Sequence, residues 1–341
     1  MFTSNIVSFK TIYQAVLILV ALMILADISQ AEGTDRRPGF GGAPTPVNVF
    51  IFVLDLDEVK TADQSFVANV FLEYSWQDPR LAHQDETDRV RPLHDVWNPR
   101  LLLINQQRVL KTIPEFVSIA PNGEVTYRQR LWGTFSQPLN LIDFPFDKQQ
   151  FKIQLAAIGY NMNEIELRPN LQGRVGIAEL SVTDWNILDW QTGAAPYKLI
   201  PGNDTALPGF SFSFDAERKS EYFVVKVILP LILIVAMSWI VFWIDPKESG
   251  IQISVAITTM LTLIAYRFAV GADLPKVSYL TRLDFFILSA TILVFASLIE
   301  VTVTSTLAGQ EKLELARKLD RWSRWLFPAI FSAVALKTFI G

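Results

Sequence analysis

Cysteine is absent from the 341 residues, so no disulfide framework and no thiolate metal site can form. Histidine occurs only at His83 and His94, too sparse a supply for an imidazole-bound transition metal. The net charge is only −4 at pH 7, and no basic run interleaves with aromatics, which argues against a nucleic-acid partner. A phosphate-binding glycine loop is missing as well. With these chemistries removed, the chain is expected to be no enzyme and to hold neither cofactor nor metal. Internal repeats, which a carrier would more usually show, are not seen.

Half of the residues are hydrophobic, but their distribution is uneven. Residues 1–31 read as a signal peptide: Lys10 precedes an apolar run from Ile12 to Leu25, and Ser29-Gln30-Ala31 offers small residues for cleavage before Glu32. The competing reading of that run is a first transmembrane helix, for which it is short. Residues 32–220 have mixed, soluble character and are expected to form an extracellular domain. Residues 221–341 are dominated by long apolar stretches and are expected to form a transmembrane domain.

Within the soluble part, Val47–Leu56, Phe66–Trp76 and Phe151–Leu155 alternate and are rich in Val, Ile, Phe and Tyr. Turn signals separate such stretches at Asp78-Pro79, Asn98-Pro99, Pro121-Asn122-Gly123 and Pro201-Gly202-Asn203-Asp204. Asn122-Gly123 between apolar flanks predicts a hairpin, and roughly ten short strands predict an all-β sandwich. Asn203-Asp204-Thr205 matches a glycosylation sequon but reads as a turn. Four apolar segments follow, at about 222–244, 251–271, 283–306 and 322–340, each long enough or nearly so to span a bilayer. The link between the third and fourth, about fifteen residues long, carries Lys312, Arg317, Lys318, Arg321 and Arg324. By the positive-inside rule it is cytoplasmic, which agrees with an outside N-terminus.

The second apolar segment is the most polar of the four. Ser254, Thr258, Leu261, Ala265 and Phe268 are spaced 4, 3, 4 and 3, so they share one helical face. A stripe of this kind faces water or protein, not lipid. Two readings remain open on spacing alone. Five such helices would line a pore with a hydroxyl-bearing inner half and a hydrophobic constriction, or the hydroxyls pack between helices as small polar contacts.

Local motifs then carry a resemblance. Phe144-Pro145-Phe146-Asp147, inside Gln137–Phe151, resembles the signature loop of the Cys-loop receptors, with Gln137 and Phe151 standing where animal receptors have cysteines. Trp76-Gln77-Asp78-Pro79-Arg80-Leu81 resembles the family's W-x-D-x-R-L segment, and Trp97-Asn98-Pro99 with Asn105 its W-x-P…N segment. Arg218-Lys219 ahead of Tyr222 and Pro230, Leu274-Pro275, and Asp320-Arg321-Trp322-Ser323-Arg324 with Phe327-Pro328 are similar to the family's transmembrane landmarks. In this order the chain is identified as a member of the pentameric ligand-gated ion channels and resembles their bacterial branch.

The resemblance implies a homopentamer in the inner (cytoplasmic) membrane, with its N-terminal domain in the periplasm or outside. A central pore would pass monovalent cations past membrane lipid, gated by protons or a small extracellular agonist. It assigns the pore to Ser254, Thr258, Leu261, Ala265 and Phe268, with Leu261 at the mid-pore gate. Glu248 would form a cation-selecting ring; alternatively it pairs with Lys247 or a cytoplasmic arginine. Coupling is implied for the turn Lys60, Thr61, Asp63, for Phe146 and Asp147, for Arg218 or Lys219 as the partner of Asp147, and for Leu274-Pro275. The bland reading of Asp147 is a turn residue.

Ligand positions carry over less well. Phe71, Tyr197, Phe210 and Phe212 match aromatic positions, but Ile104 and Ile158 stand where aromatic walls are expected. Phe210 and Phe212 read equally as strand core. His83 and His94, taken as surface titrators, and the acidic cluster Asp85-Glu86 with Asp88 offer a route for pH sensing; the competing reading is incidental surface charge. The rival function is a membrane-bound ligand sensor without conduction. It would need a cytoplasmic signalling domain, for which the basic link is too short.

Overall fold

The computed structural model describes residues 36–39, 42–170, 176–178, 181–200, 206–271 and 274–339; the expected signal peptide at 1–31 and the sequon Asn203-Asp204-Thr205 lie outside them. Twelve strands among the described residues form two facing sheets. One sheet runs in the order β10 (Gly176–Ile177), β1 (Thr45–Lys60), β2 (Ser65–Gln77), β7 (Glu124–Ser136), β6 (Phe116–Ile119), β3 (Arg89–Pro92). In it β5 (Gln106–Lys111) also pairs with β7, and β9 (Ile165–Pro169) with β1. The other runs β11 (Trp185–Ala194), β12 (Gly209–Arg218), β8 (Lys148–Ala157), β4 (Leu101–Leu103).

Alternation decides which side chains enter the sandwich. Along β1, Val47, Val49, Ile51 and Val53 are buried, and register breaks after Val53 and Leu56 re-aim the strand toward the membrane end. β2 contributes Phe66, Val70, Leu72, Tyr74 and Trp76; β8 and β12 contribute Phe151, Ile153, Phe212 and Phe214. Phe66, Phe135, Phe151, Phe214 and Trp185 form a continuous aromatic cluster with ring centroids 5.2–6.3 Å apart. Asn105 pins the two sheets together: its Nδ2 donates to the carbonyls of Ser136 and Lys152, and its Oδ1 accepts from the Gln154 N–H.

The expected hairpin is present. β6 and β7 pair antiparallel around Gly123, whose φ is +81°. The Gly123 carbonyl accepts the Asp78 N–H at 2.9 Å, and Asp78, fully buried, in turn receives Arg80.

Four helical segments follow, α1 (Glu221–Trp243), α2 (Ser249–Val270), α3 (Arg282–Gly309) and α4 (Leu313–Phe339). α1 contains a wide π turn over Val224–Ile228, placed just before Pro230, which has no N–H to offer the carbonyl four residues back. α3 opens with a capping box between Thr281 and Asp284.

Three helices among the described residues are long and apolar enough to cross a membrane: Glu221–Trp243, Pro246–Val270 and Arg282–Gly309. α4 is instead amphipathic, and its start corrects the expected fifteen-residue basic link. The connection is only residues 310–312. Ala316, Asp320, Ser323 and Phe327 recur at helical spacing on its buried face, while Lys318 and Arg321 point outward. Hydropathy alone hides such a helix because one face is charged. α4 nevertheless runs the height of the bundle. Arg317 near its start pairs with Asp245 in the α1–α2 link at 3.0 Å, and Phe339 at its end meets Phe146 of the sandwich at 5.8 Å.

A Cβ placed on Gly123 would lie 2.6 Å from the Asp78 carbonyl oxygen, at a φ that side chains resist. Gly123→Ala is therefore expected to destabilise the sandwich by about 1–3 kcal/mol, read by thermal or denaturant unfolding.

Candidate functional site

The loop Gln137–Phe151 lies at the membrane end of the sandwich and holds its shape without a disulfide. Gln64 is poised in a left-handed conformation, and its Oε1 accepts the Leu139 N–H at 2.6 Å. Gln149 clasps Asn140 from the other side: Nε2 donates to the Asn140 carbonyl, and Oε1 accepts the Asn140 N–H. Gln137 Oε1 accepts the Lys152 N–H, while Phe151 is fully buried in the aromatic cluster. Where a disulfide would close the loop, amide hydrogen bonds and ring packing do so.

Asp147 closes this arrangement with a charge. Arg218 at the end of β12 donates Nε and Nη2 to its two carboxylate oxygens at 2.8 and 3.2 Å, and the Arg218 N–H donates to the Asp147 carbonyl. Both side chains are nearly inaccessible, and Gln149 Nε2 donates a further hydrogen bond to Asp147 Oδ2. The guanidinium also lies over the rings of Trp185 (4.3 Å) and Phe144 (5.0 Å). Of the two basic residues offered by the sequence, Arg218 is the partner; the Lys219 N–H bonds to the Asp184 carbonyl.

The same loop grips the helices. The Arg282 N–H donates to the Ile142 carbonyl and the Leu283 N–H to the Phe144 carbonyl, so the open end of α3 is satisfied by loop backbone. Tyr279 Oη accepts from the Leu141 N–H and donates to the Leu139 carbonyl. Arg282 pairs with Asp143 at 2.7 Å, and Phe144 packs edge-on against Phe223 of α1 at 4.7 Å. A cleft of about 440 Å³ beside the loop brings together Lys60, Thr61, Asp63, Arg218, Leu274 and Pro275. Tyr279, Arg282, Asp143 and Phe223 carry much of this junction; from sequence only Tyr279 was placed there, as the last residue of the coupling link from Gly271, and the other three were not singled out. The one legible sign was the Thr281-x-x-Asp284 cap that fixes where α3 begins.

On α2, Ser254, Thr258, Leu261, Ala265 and Phe268 are all exposed in the single chain, with Leu261 at 61% and Phe268 at 81%. The opposite face, Gln252, Ala256, Thr259 and Leu263, is buried in the bundle. Glu248, exposed at the head of α2, has no cation within ion-pair distance among the described residues. Arg317 instead takes Asp245, whose carboxyl is held below the usual range by the Lys247 N–H and by that guanidinium.

The six ligand candidates do not converge within one chain. Phe71 lines a cleft of about 550 Å³ with Phe50, Phe52, Ile177 and Trp190, whereas Ile158 lines a separate one of about 520 Å³ near Arg100 and Leu102. Ile104 is half-buried on the turn after β4, where its N–H donates to the Gln154 carbonyl. Tyr197 pairs its backbone with Leu207. Phe210 and Phe212 are fully buried in β12, on the strand-core side of the two readings, because alternation there turns them inward. His83 is not the surface residue it was taken for: its side chain is 2% exposed, with Nε2 on the Ile119 carbonyl and Nδ1 accepting the Asp85 N–H. His94 is exposed beside Asp95. The neighbouring acidic residues are engaged as well. Arg89 pairs with Asp85, holding that carboxyl low, and Ser118 donates to Asp88.

Two matches to known families fall on these domains. Residues 24–192 match the neurotransmitter-gated ion-channel ligand-binding domain, and residues 227–313 match the neurotransmitter-gated ion-channel transmembrane region, ending at the first residue of α4. Together they cover about three quarters of the chain, in the order in which the sandwich and the helices occur. The chain therefore belongs to the neurotransmitter-gated ion-channel family, the Cys-loop or pentameric ligand-gated channels.

Proposed function

We propose that the chain is one subunit of a homopentameric, cation-conducting channel whose α2 helices line the pore. The observation that carries this reading is the exposed stripe Ser254–Thr258–Leu261–Ala265–Phe268, set opposite a face that is buried in the subunit's own bundle. Five copies around an axis would cover that stripe. The hydroxyls would form the inner section and Leu261 with Phe268 the constriction, which gates by dewetting. Glu248, free of ion pairs among the described residues and exposed at the head of α2, would place a ring of carboxylates at the inner mouth.

The fourth helix completes four spans in this reading. α4 reaches from the Asp245–Arg317 contact to the sandwich side at Phe339, and its basic first turns sit at the end away from the sandwich. By the positive-inside rule that end is cytoplasmic, placing the sandwich in the periplasm or outside an inner membrane. The stimulus, protons or a small molecule, would act on the sandwich. It would reach α2 through the Asp147–Arg218 pair, the loop carbonyls on α3 and the α2–α3 link at Leu274-Pro275.

Current recorded from the purified protein in planar bilayers under a sodium chloride gradient tests the channel. A current evoked by extracellular pH or a small amine, reversing near the sodium potential and altered by Leu261→Ala, is expected. Glu248→Gln should move the reversal toward the chloride potential. Reversal near the chloride potential in the wild type would overturn cation selectivity. A folded pentamer with no current would favour a non-conducting ligand sensor.

The junction is tested by a double-mutant cycle on Asp147→Asn and Arg218→Gln. Each single change strands a buried charge or polar group and is expected to cost about 3–5 kcal/mol of stability. The double mutant should recover part of this, with an interaction energy of about 0.5–3 kcal/mol in both unfolding and agonist response. Additive effects would remove the pair from the coupling route.

A further inference from the structure

A pair of buried carboxyls lies at the end of the bundle away from the sandwich. Glu300 is eighteen residues beyond Arg282, about 27 Å along α3, and Asp320 sits seven residues into α4. They are 9% and 1% exposed, and their side chains lie within hydrogen-bonding reach of each other. Ser323 donates to Glu300 Oε1 at 3.0 Å. Glu300 Oε2 and both oxygens of Asp320 are buried without a donor, as is Oε1 of the neighbouring Gln252 on α2.

The nearby cation Arg324 is close enough to attract the Asp320 carboxylate but forms no ion pair with it, and its guanidinium is committed elsewhere. Residues 227–243 of α1 and 249–266 of α2 include no charged side chain, and Glu300 is the only charge in α3 after Asp284. On α4, Arg324 donates to the Phe242 carbonyl and lies over Trp243, Arg317 pairs with Asp245, and Lys318 and Arg321 are exposed. Asp245 adds a further negative charge nearby. Two bare carboxylates against each other in such a place are strongly unfavourable, since burial and like charge act in the same direction. Among the described residues no group of three or more metal-ligating side chains occurs, so the vacant donor role falls to the smallest candidate.

We propose that Glu300 and Asp320 hold one shared proton across the α3–α4 seam, and that this proton secures the inner end of the bundle behind the pore helix. A carboxyl O–H on one residue bonded to a carboxylate oxygen of the other gives a buried acceptor its donor and leaves one negative charge instead of two. Gln252 carries the consequence to α2: its Nε2 donates to the Val241 and Ile244 carbonyls of α1 at 3.2 and 3.0 Å, and it lies two residues before Ser254 of the exposed stripe. Loss of the proton to an alkaline cytoplasm would put a second charge against Gln252 and loosen the seat of α2. The regulatory half rests on α2 being the pore helix; the shared proton does not.

Infrared difference spectra of the purified protein test the proton without any current. A protonated-carboxyl C=O band at neutral pH, lost on raising pH and absent from both Glu300→Gln and Asp320→Asn, is expected. Thermal stability should fall with rising pH in the wild type and stay flat in Glu300→Gln, which mimics the protonated acid. A band that survives in both variants, or none at neutral pH, would overturn the shared proton. Stability that follows sodium concentration at fixed pH would overturn it in favour of a bound cation. In inside-out patches, raising cytoplasmic pH should change wild-type current several-fold and leave Glu300→Gln current unchanged. Equal responses would overturn the regulatory half while the spectra decide the proton.

Discussion

The architecture depends on keeping one charge pair, Asp147 with Arg218, dry and fully bonded between the sandwich and the membrane. A buried ion pair adds little net stability by itself, because desolvation offsets most of the attraction, but it is costly to break. Here the geometry removes the alternatives. Both carboxylate oxygens are bonded to the guanidinium, Gln149 takes a further lone pair, and Trp185 and Phe144 cover the guanidinium. The pair ties the end of β12, which leads directly into α1, to the loop that seats α3. One contact therefore joins the sandwich to the starts of two helices.

The loop can do this without a disulfide because much of its backbone is hydrogen-bonded to its surroundings. Gln64 and Gln149 satisfy its N–H and C=O groups from within the sandwich, while the Ile142 and Phe144 carbonyls face outward to cap α3. Capping by a neighbouring domain makes the start of α3 a shared element: neither the helix end nor the loop is satisfied alone. At the other end, the bundle is closed by polar contacts among α1, α2 and α4, with Arg324 on the Phe242 carbonyl and Gln252 on those of Val241 and Ile244. Between these two tied ends, the helices touch mainly through apolar packing.

Much of this was legible in the sequence where a periodicity or a turn residue carried it. The alternation of β1, β2 and β8, the Gly123 hairpin, the stripe on α2 and the pairing of Asp147 with one of Arg218 and Lys219 followed from spacing or from the family's motifs; the choice of Arg218 came only with the structure. What stayed hidden involved partners distant in sequence. Tyr279 reaches Leu139 and Leu141, Arg282 reaches Asp143, and Glu300 meets Asp320 only once the helices pack. The amphipathic start of α4 was read as a link because its charged face masked its buried one. His83 looked like a surface residue for a similar reason: acidic neighbours in the chain say nothing of the Ile119 carbonyl that buries it.

The cysteine-free background makes the central claim directly measurable. Single cysteines introduced as Ser254→Cys, Thr258→Cys, Leu261→Cys, Ala265→Cys and Phe268→Cys, and on the buried face as Ala256→Cys, Thr259→Cys and Leu263→Cys, would be exposed to a charged, water-soluble thiol reagent during current recording. If α2 lines the pore, the first set is modified with loss of current and the second is untouched. Modification of the buried set, or protection of the stripe in a conducting channel, would contradict the assignment of α2 as the pore helix.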